Sequence, residues 1–167
     1  MKAKIAYILG SDSDFPQVEK GISLLRRLRI PVEVEVSSAH RTPERTLQLV
    51  REFEARGVEV IIAAAGGAAH LPGVVASHTV LPVLGVPMAS PLSGLDSLLS
   101  MVQMPAGVPV ATFGIGEAGA VNAALFAVSL LAAHDPALKE KLQAYRAEQR
   151  EKVLEKSRKL KDKLDQG

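Results

Sequence analysis

Cysteine is absent from this 167-residue chain. That excludes disulfide staples and thiolate chemistry, and it fits a cytoplasmic protein. Aromatic residues make up only 4% and no run of basic residues occurs. The chain therefore lacks the stacking platforms and cationic tracks from which nucleic-acid binders are built. Although 47% of the residues are hydrophobic, no apolar stretch has the length and flanks of a membrane span. Met1-Lys2-Ala3-Lys4 leads straight into an apolar, strand-like segment, so no signal peptide is expected. Linkers, low-complexity tracts and internal repeats are also missing. One domain over residues 1–167 is the expectation, long enough to bury a real core.

Charge is distributed unevenly. Residues 1–138 hold 10 Lys and Arg against 12 Asp and Glu, a net of −2, whereas residues 139–167 hold 10 against 6, a net of +4. The basic excess thus belongs to the C-terminal segment, where Lys and Glu alternate as on a solvated helix face.

Apolar runs and turn residues divide the rest into alternating strands and helices. Ile5–Leu9 reads as a buried strand, and Val18, Ile22 and Leu25 then recur at helical spacing. Asp14 is placed as the cap of that helix, with Pro16 in its first turn and Gln17 set for a capping box. The alternating run Val32-Glu33-Val34-Glu35-Val36 predicts a second strand. A helix follows, capped by Thr42, started by Pro43 and ended by Gly57, with Leu47, Val50 and Phe53 inside. Residues 58–65, 81–88 and 108–113 read as strands three to five. A helix over Leu95, Leu98, Leu99 and Val102 lies between the last two. Five strands alternating with helices argue a parallel α/β sheet. Residues 120–133 are almost wholly apolar, and a helix apolar all round must be covered on every side. The expectation is that it packs on the sheet and on a neighbouring subunit. A long charged helix, 136–164, carries a thin stripe of Leu138, Leu142, Tyr145 and Val153 and is expected to reach another subunit.

Every strand exits into a loop rich in Gly, Ser, Asp or His, while the opposite ends look ordinary. In open α/β sheets ligands bind at that carboxyl edge, where helix N-termini and free N–H groups converge. Ser11, Ser13 and Asp14 follow the first strand. They read either as a plain cap and turn or as hydroxyls facing a phosphate beside a carboxylate for sugar hydroxyls. Ser38, His40 and Arg41 follow the second. An imidazole moves protons near neutral pH, and an arginine clamps phosphate with two parallel hydrogen bonds. Ala65, Gly66, Gly67, His70 and Leu71 follow the third, where adjacent glycines let backbone approach a ligand and small alanines leave room for a flat group. His78 and His134 read as a helix-surface residue and a helix C-terminal partner.

Competing chemistries fit less well. Gly114, Gly116 and Gly119 match the dinucleotide fingerprint, but no later strand can supply the acidic residue that grips the ribose. A turn with close helix packing is the simpler reading. No histidine pair has helix-face metal spacing, and Ser38 lacks the Gly-x-Ser-x-Gly frame of a hydrolase.

Three segments together, Gly10-Ser11-Asp12-Ser13-Asp14, Ser38-Ala39-His40-Arg41-Thr42-Pro43 and Ala65-Gly66-Gly67-Ala68-Ala69-His70-Leu71-Pro72-Gly73, resemble the signatures of the N5-carboxyaminoimidazole ribonucleotide mutase family. Gly94-Leu95-Asp96-Ser97-Leu98-Leu99-Ser100, Val102-Gln103-Met104-Pro105 and Ala123-Ala124-Leu125 after Asn122 also fit. The likeness extends to about Asp135. The Ala89–Gly94 loop looks about one residue shorter than in the family.

The resemblance implies a three-layer flavodoxin-like fold, a homo-octamer and no metal or organic cofactor. It implies a purine-biosynthesis enzyme that moves a carboxylate from the exocyclic nitrogen of an aminoimidazole ribonucleotide to ring carbon C4. His40 would be the proton shuttle and His70 would help confine CO2. Ser38 and Arg41, with Ser11 and Ser13, would take the phosphate. Asp14 would hold ribose hydroxyls, and backbone at Ala65, Gly66, Gly67 and Leu71 would hold the base and carboxylate. Two alternatives stay open: the related carboxylase that fixes free CO2, and a non-catalytic nucleotide-binding α/β module.

Overall fold

Five short segments pair in one parallel sheet: Ile5–Leu9 (β1), Val32–Val36 (β2), Val60–Ala65 (β3), Val83–Pro87 (β4) and Ala111–Thr112 (β5). Their spatial order is β2-β1-β3-β4-β5, the flavodoxin-like doubly wound order. The computed structural model describes residues 3–165. Between the strands run Phe15–Arg27 (α1), Pro43–Arg56 (α2), Leu71–Ala76 (α3) and Leu95–Val102 (α4), followed by Gly116–Ala132 (α5) and Pro136–Asp165 (α6).

The strands' side-chain alternation sorts the helices into two layers. Ala6 and Ile8 of β1 and Ile61, Ala63 and Ala65 of β3 share one core with Leu49, Val50 and Phe53 of α2, with Leu71 and Val75 of α3, and with Met101 of α4. Tyr7 points the other way: a Cβ on Gly21 of α1 would lie 3.1 Å from its hydroxyl and 2.7 Å from the Ala120 carbonyl of α5. That side is lined by Val18, Ile22 and Leu25 of α1, all buried. Every residue of β1 and β3 is buried, as central strands covered on both faces must be.

Several boundaries differ from the sequence reading. The fifth strand is expected over 108–113, but only Ala111 and Thr112 pair, with Leu84 and Gly85. Pro109 has no N–H to give to a ladder, and β5 is an edge strand, where short pairing is tolerated. Gly57 does end α2 in the left-handed region, at φ +85°. The capping residues behave differently from expectation. Neither Asp14 on α1 nor Thr42 on α2 makes a side-chain cap, and the capping box belongs instead to the single 3-10 turn Asp12–Asp14, between Ser11 and Asp14.

Two compact units divide between Ala127 and Val128, within α5. In the second, α6 is mostly exposed, with Leu142 buried. Glu155 and Lys159 pair at 2.6 Å with i, i+4 spacing, the sort of contact that supports a solvated helix. Among the described residues no helix is long and apolar enough to cross a membrane.

Candidate active site

Strand register brings four loops to one place. Leu9 stands opposite Val36 on one side and Ala64 on the other. Three further hydrogen bonds carry the ladder past the strand ends: Gly10 N–H to the Ala64 carbonyl, Ser37 N–H to Leu9 and Met88 N–H to Ala65, each 2.9 Å. The loops after β1, β2, β3 and β4 therefore leave the sheet side by side, around its β1–β3 switch point. A cavity of about 500 Å³ opens there.

The first loop folds on its own hydroxyls. Ser13 Oγ donates to Ser11 Oγ at 2.8 Å, and Asp14 accepts the Ser11 N–H at 3.0 Å. Ser11, Ser13 and Asp14 all line the cavity. Asp14 is buried, and burial pushes its carboxyl above the ordinary value of 3.8. The Ser11 N–H acts against that and the neighbouring Asp12 carboxylate adds to it.

The second loop is a knot of hydroxyls. Ser37, nearly fully buried, hydrogen-bonds Thr46 Oγ1 at 2.8 Å and Thr42 Oγ1 at 3.2 Å. Thr42 Oγ1 donates to the Ser38 carbonyl at 3.0 Å and accepts the Ser38 N–H at 3.1 Å. The turn Ser38 to Arg41 is thereby closed on itself, and Arg41 N–H reaches Ser38 Oγ at 3.3 Å. Ser38, His40 and Arg41 line the cavity, and Arg41 is the single Lys or Arg among its described lining residues.

In the third loop Gly67 takes φ +64°, and a Cβ there would meet nothing within 4 Å. Its glycine serves backbone shape rather than crowding. Ala65, Gly66, Gly67 and Leu71 line the cavity. His70 lies at the N-cap position of α3. Its Nδ1 is 2.8 Å from Nε2 of His40, and the rings meet edge to face with centroids 4.9 Å apart. One nitrogen of this contact must carry a proton and the other must not, so the two rings hold one proton between them at that point. Both residues are exposed, and His40 lines the cavity.

The structure thus gathers every candidate residue to one edge, His70 through its contact with His40. Ala89, Ser90 and Pro91 also line the cavity, from the loop after β4. Sequence reasoning assigned them no site role. Their position after a strand on the same edge was the available signal. Ser90 Oγ hydrogen-bonds Asp96 and accepts the Gly94 N–H at 3.1 Å, which folds that loop.

Other sequence candidates lie elsewhere. His78 is in the turn after α3 rather than on the helix, with Nδ1 3.2 Å from Ser77 Oγ. The glycine triplet is a packing device, for a Cβ on Gly119 would lie 1.6 Å from the Gly114 carbonyl oxygen. Among the described residues no three His, Asp or Glu side chains converge in a metal-binding group.

A flavodoxin-like α/β protein that gathers hydroxyls, one arginine and a histidine around a cavity at its carboxyl edge has groups able to hold an anion beside a group able to carry a proton. Comparison with known proteins narrows this class. The AIR carboxylase family model matches residues 4–152, and the chain belongs to that family. N5-carboxyaminoimidazole ribonucleotide mutase of Pseudomonas aeruginosa is 58% identical over 156 residues, covering 93% of this chain and 96% of the relative. The mutase of Pyrococcus horikoshii is 51% identical over 162 residues, covering 96% and 90%. Among solved structures, Treponema denticola PurE superposes with a TM-score of 0.84 at 26% identity, covering 93% of this chain and 97% of the other.

Proposed function

We propose that this chain is an N5-carboxyaminoimidazole ribonucleotide mutase of purine biosynthesis. Two relatives that carry that name and exceed 50% identity over nearly the whole chain support the reading. The observation that carries the chemistry is that His40 lines the same cavity as the serine turn and the paired glycines. The carbamate nitrogen takes a proton as its C–N bond breaks, which releases the exocyclic amine and CO2. The electron pair that the amine feeds to C4 then forms the new C–C bond to CO2, and C4 gives up its proton. One group that donates first and accepts afterwards closes the cycle, and an imidazole does both.

In this reading His40 is that shuttle and His70 helps keep CO2 in the site. Arg41 and Ser38, with Ser11 and Ser13, hold the phosphate, and Asp14 holds ribose hydroxyls. Backbone at Ala65, Gly66, Gly67 and Leu71 holds the base and carboxylate. No metal or organic cofactor takes part. The enzyme works in the cytoplasm as a homo-octamer, with 136–164 packing on a neighbouring subunit. In support of association, Leu95, Leu99 and Val102 present one exposed apolar face of α4 at i, i+4, i+7 spacing, and Leu92 is exposed beside them.

The family's description as AIR carboxylase favours one second reading, direct fixation of free CO2 onto the amine. The test is to supply purified protein with the carbamate, or with the free amine and bicarbonate. Fast conversion of the carbamate supports the mutase. Conversion of the amine at low bicarbonate, faster than the carbamate reacts, selects the carboxylase. Light scattering that returns a monomer contradicts the assembly.

A further inference from the structure

Gln17 has no part in the chemistry above, and it does not do what its sequence position suggests. Asp14 turns its carboxylate back onto the Ser11 N–H, and α1 has no side-chain cap. The Gln17 side chain instead crosses to the exit of β4, where Oε1 accepts the Ala89 N–H at 2.9 Å, a contact 72 residues apart in sequence. The donor fixes the amide's orientation, because a backbone N–H requires the oxygen.

Ala89 is a critical place to hold. Met88 N–H is the last to reach across to β3, at the Ala65 carbonyl. From Ser90 onward the hydrogen bonds found among the described residues stay within the loop and the start of α4: Ser93 N–H to the Ser90 carbonyl at 2.9 Å, and the Ser90 hydroxyl to Gly94 and Asp96. Gln17 therefore ties this wall of the cavity to the helix that begins directly after the serine turn. The fifth loop closes on the same amide: a Cβ on Gly116 would stand 3.3 Å from Gln17 Oε1.

We propose that Gln17 is a positioning residue for the reaction: through the Ala89 amide it holds the Ala89–Pro91 wall against the Ser11–Asp14 wall, so that the ribonucleotide is gripped and CO2 retained. The proposal rests on the mutase reading. Without the tether the wall loosens, substrate binds more weakly, and more of the released CO2 escapes to become bicarbonate and leaves free amine behind.

The test uses the full chain with Gln17→Met, which keeps length and removes the acceptor, and Gln17→Glu, which keeps an acceptor oxygen. KM for the carbamate, the fraction of carbamate ending as free amine, the melting temperature and hydrogen exchange at the Ala89 amide are measured. One net hydrogen bond corresponds to roughly a fivefold effect. Gln17→Met is expected to raise KM and the amine fraction by about that factor, with faster exchange at Ala89 and a melting temperature lowered by at most a few degrees. Gln17→Glu is expected to restore Ala89 protection. Exchange at Ala89 is read without substrate, so unchanged exchange in Gln17→Met overturns the tether whatever the enzyme does. Faster exchange with wild-type KM and amine fraction overturns the role in the reaction. Wild-type protein that leaves the carbamate unconverted overturns the mutase reading itself, and the positioning role with it.

Discussion

Nε2 of His40 and Nδ1 of His70, thirty residues apart in sequence, meet at 2.8 Å. A hydrogen bond of that length commits one nitrogen of each ring and leaves His40 Nδ1 as the uncommitted one. Whichever ring donates, the contact couples the tautomer of His40 to that of His70. His40→Asn is expected to lower kcat by roughly 10²–10⁴, the usual worth of a general acid–base. His70→Phe keeps a ring and removes the partner, and it is expected to lower kcat while changing the tautomer signature of the His40 ring in nitrogen-15 NMR spectra. Both side chains are exposed, so thermal melts of the two variants should match the parent. An unchanged His40 tautomer signature in His70→Phe assigns it no part in setting the tautomer.

Ser37 Oγ and Thr46 Oγ1 hold the base of the Ser38–Arg41 turn from inside the protein. Thr46→Val keeps the shape and leaves Ser37 buried without its 2.8 Å partner. Ser37 keeps its 3.2 Å contact with Thr42 Oγ1, so the loss is that of one hydrogen bond, about 0.5–1.5 kcal/mol, which urea unfolding will register as a lower midpoint at constant slope. Turnover should fall with it, although Thr46 lines no part of the cavity.

Asp14 gives a pH signature. Its carboxyl is raised by burial, so the folded protein holds that proton more tightly than the unfolded chain does. The sign follows directly: the contribution favours folding below the ordinary carboxyl value of 3.8 and is lost as pH rises through the raised value. Asp14→Asn removes this dependence. It should be at least as stable as the parent at neutral pH in denaturant titrations, yet bind ribonucleotide more weakly. Parallel stability–pH curves for parent and variant contradict the assignment.

Tyr7 carries a fully buried hydroxyl that has no hydrogen-bond partner among the described residues. The same burial pushes its phenol upward, out of the range of any physiological titration. Removing an unsatisfied buried polar atom without changing shape relieves its desolvation. Tyr7→Phe is expected to raise unfolding stability by about 1 kcal/mol with activity intact. A loss of stability identifies a partner for that oxygen.

Much of this architecture was legible in the sequence because it rests on local regularities. The alternation of Val32 to Val36, the apolar run Ile5–Leu9 and the stop at Gly57 each follow from backbone and side-chain periodicity. The one-sided placement of Ser11, His40 and Gly67 followed from strand direction alone. What could not be read was where polar side chains turn once the chain is folded. The spacing of Asp14 and Gln17 fits a capping box, but each found a better partner, Ser11 for one and Ala89 for the other. Thr42 likewise gives its hydroxyl to the turn before its helix. The His40–His70 contact depends on two loops converging in space, for which no local pattern exists.

Caged CO2 is the heart of the proposed chemistry, and an isotope reads it directly. The carbamate is prepared with a labelled carboxyl carbon and turned over in excess unlabelled bicarbonate, and the C4-carboxylate product is analysed by mass spectrometry. Retention of the label in nearly all product is the predicted result. Label diluted to the level of the bicarbonate pool means that CO2 leaves before it is recaptured, and it contradicts the account.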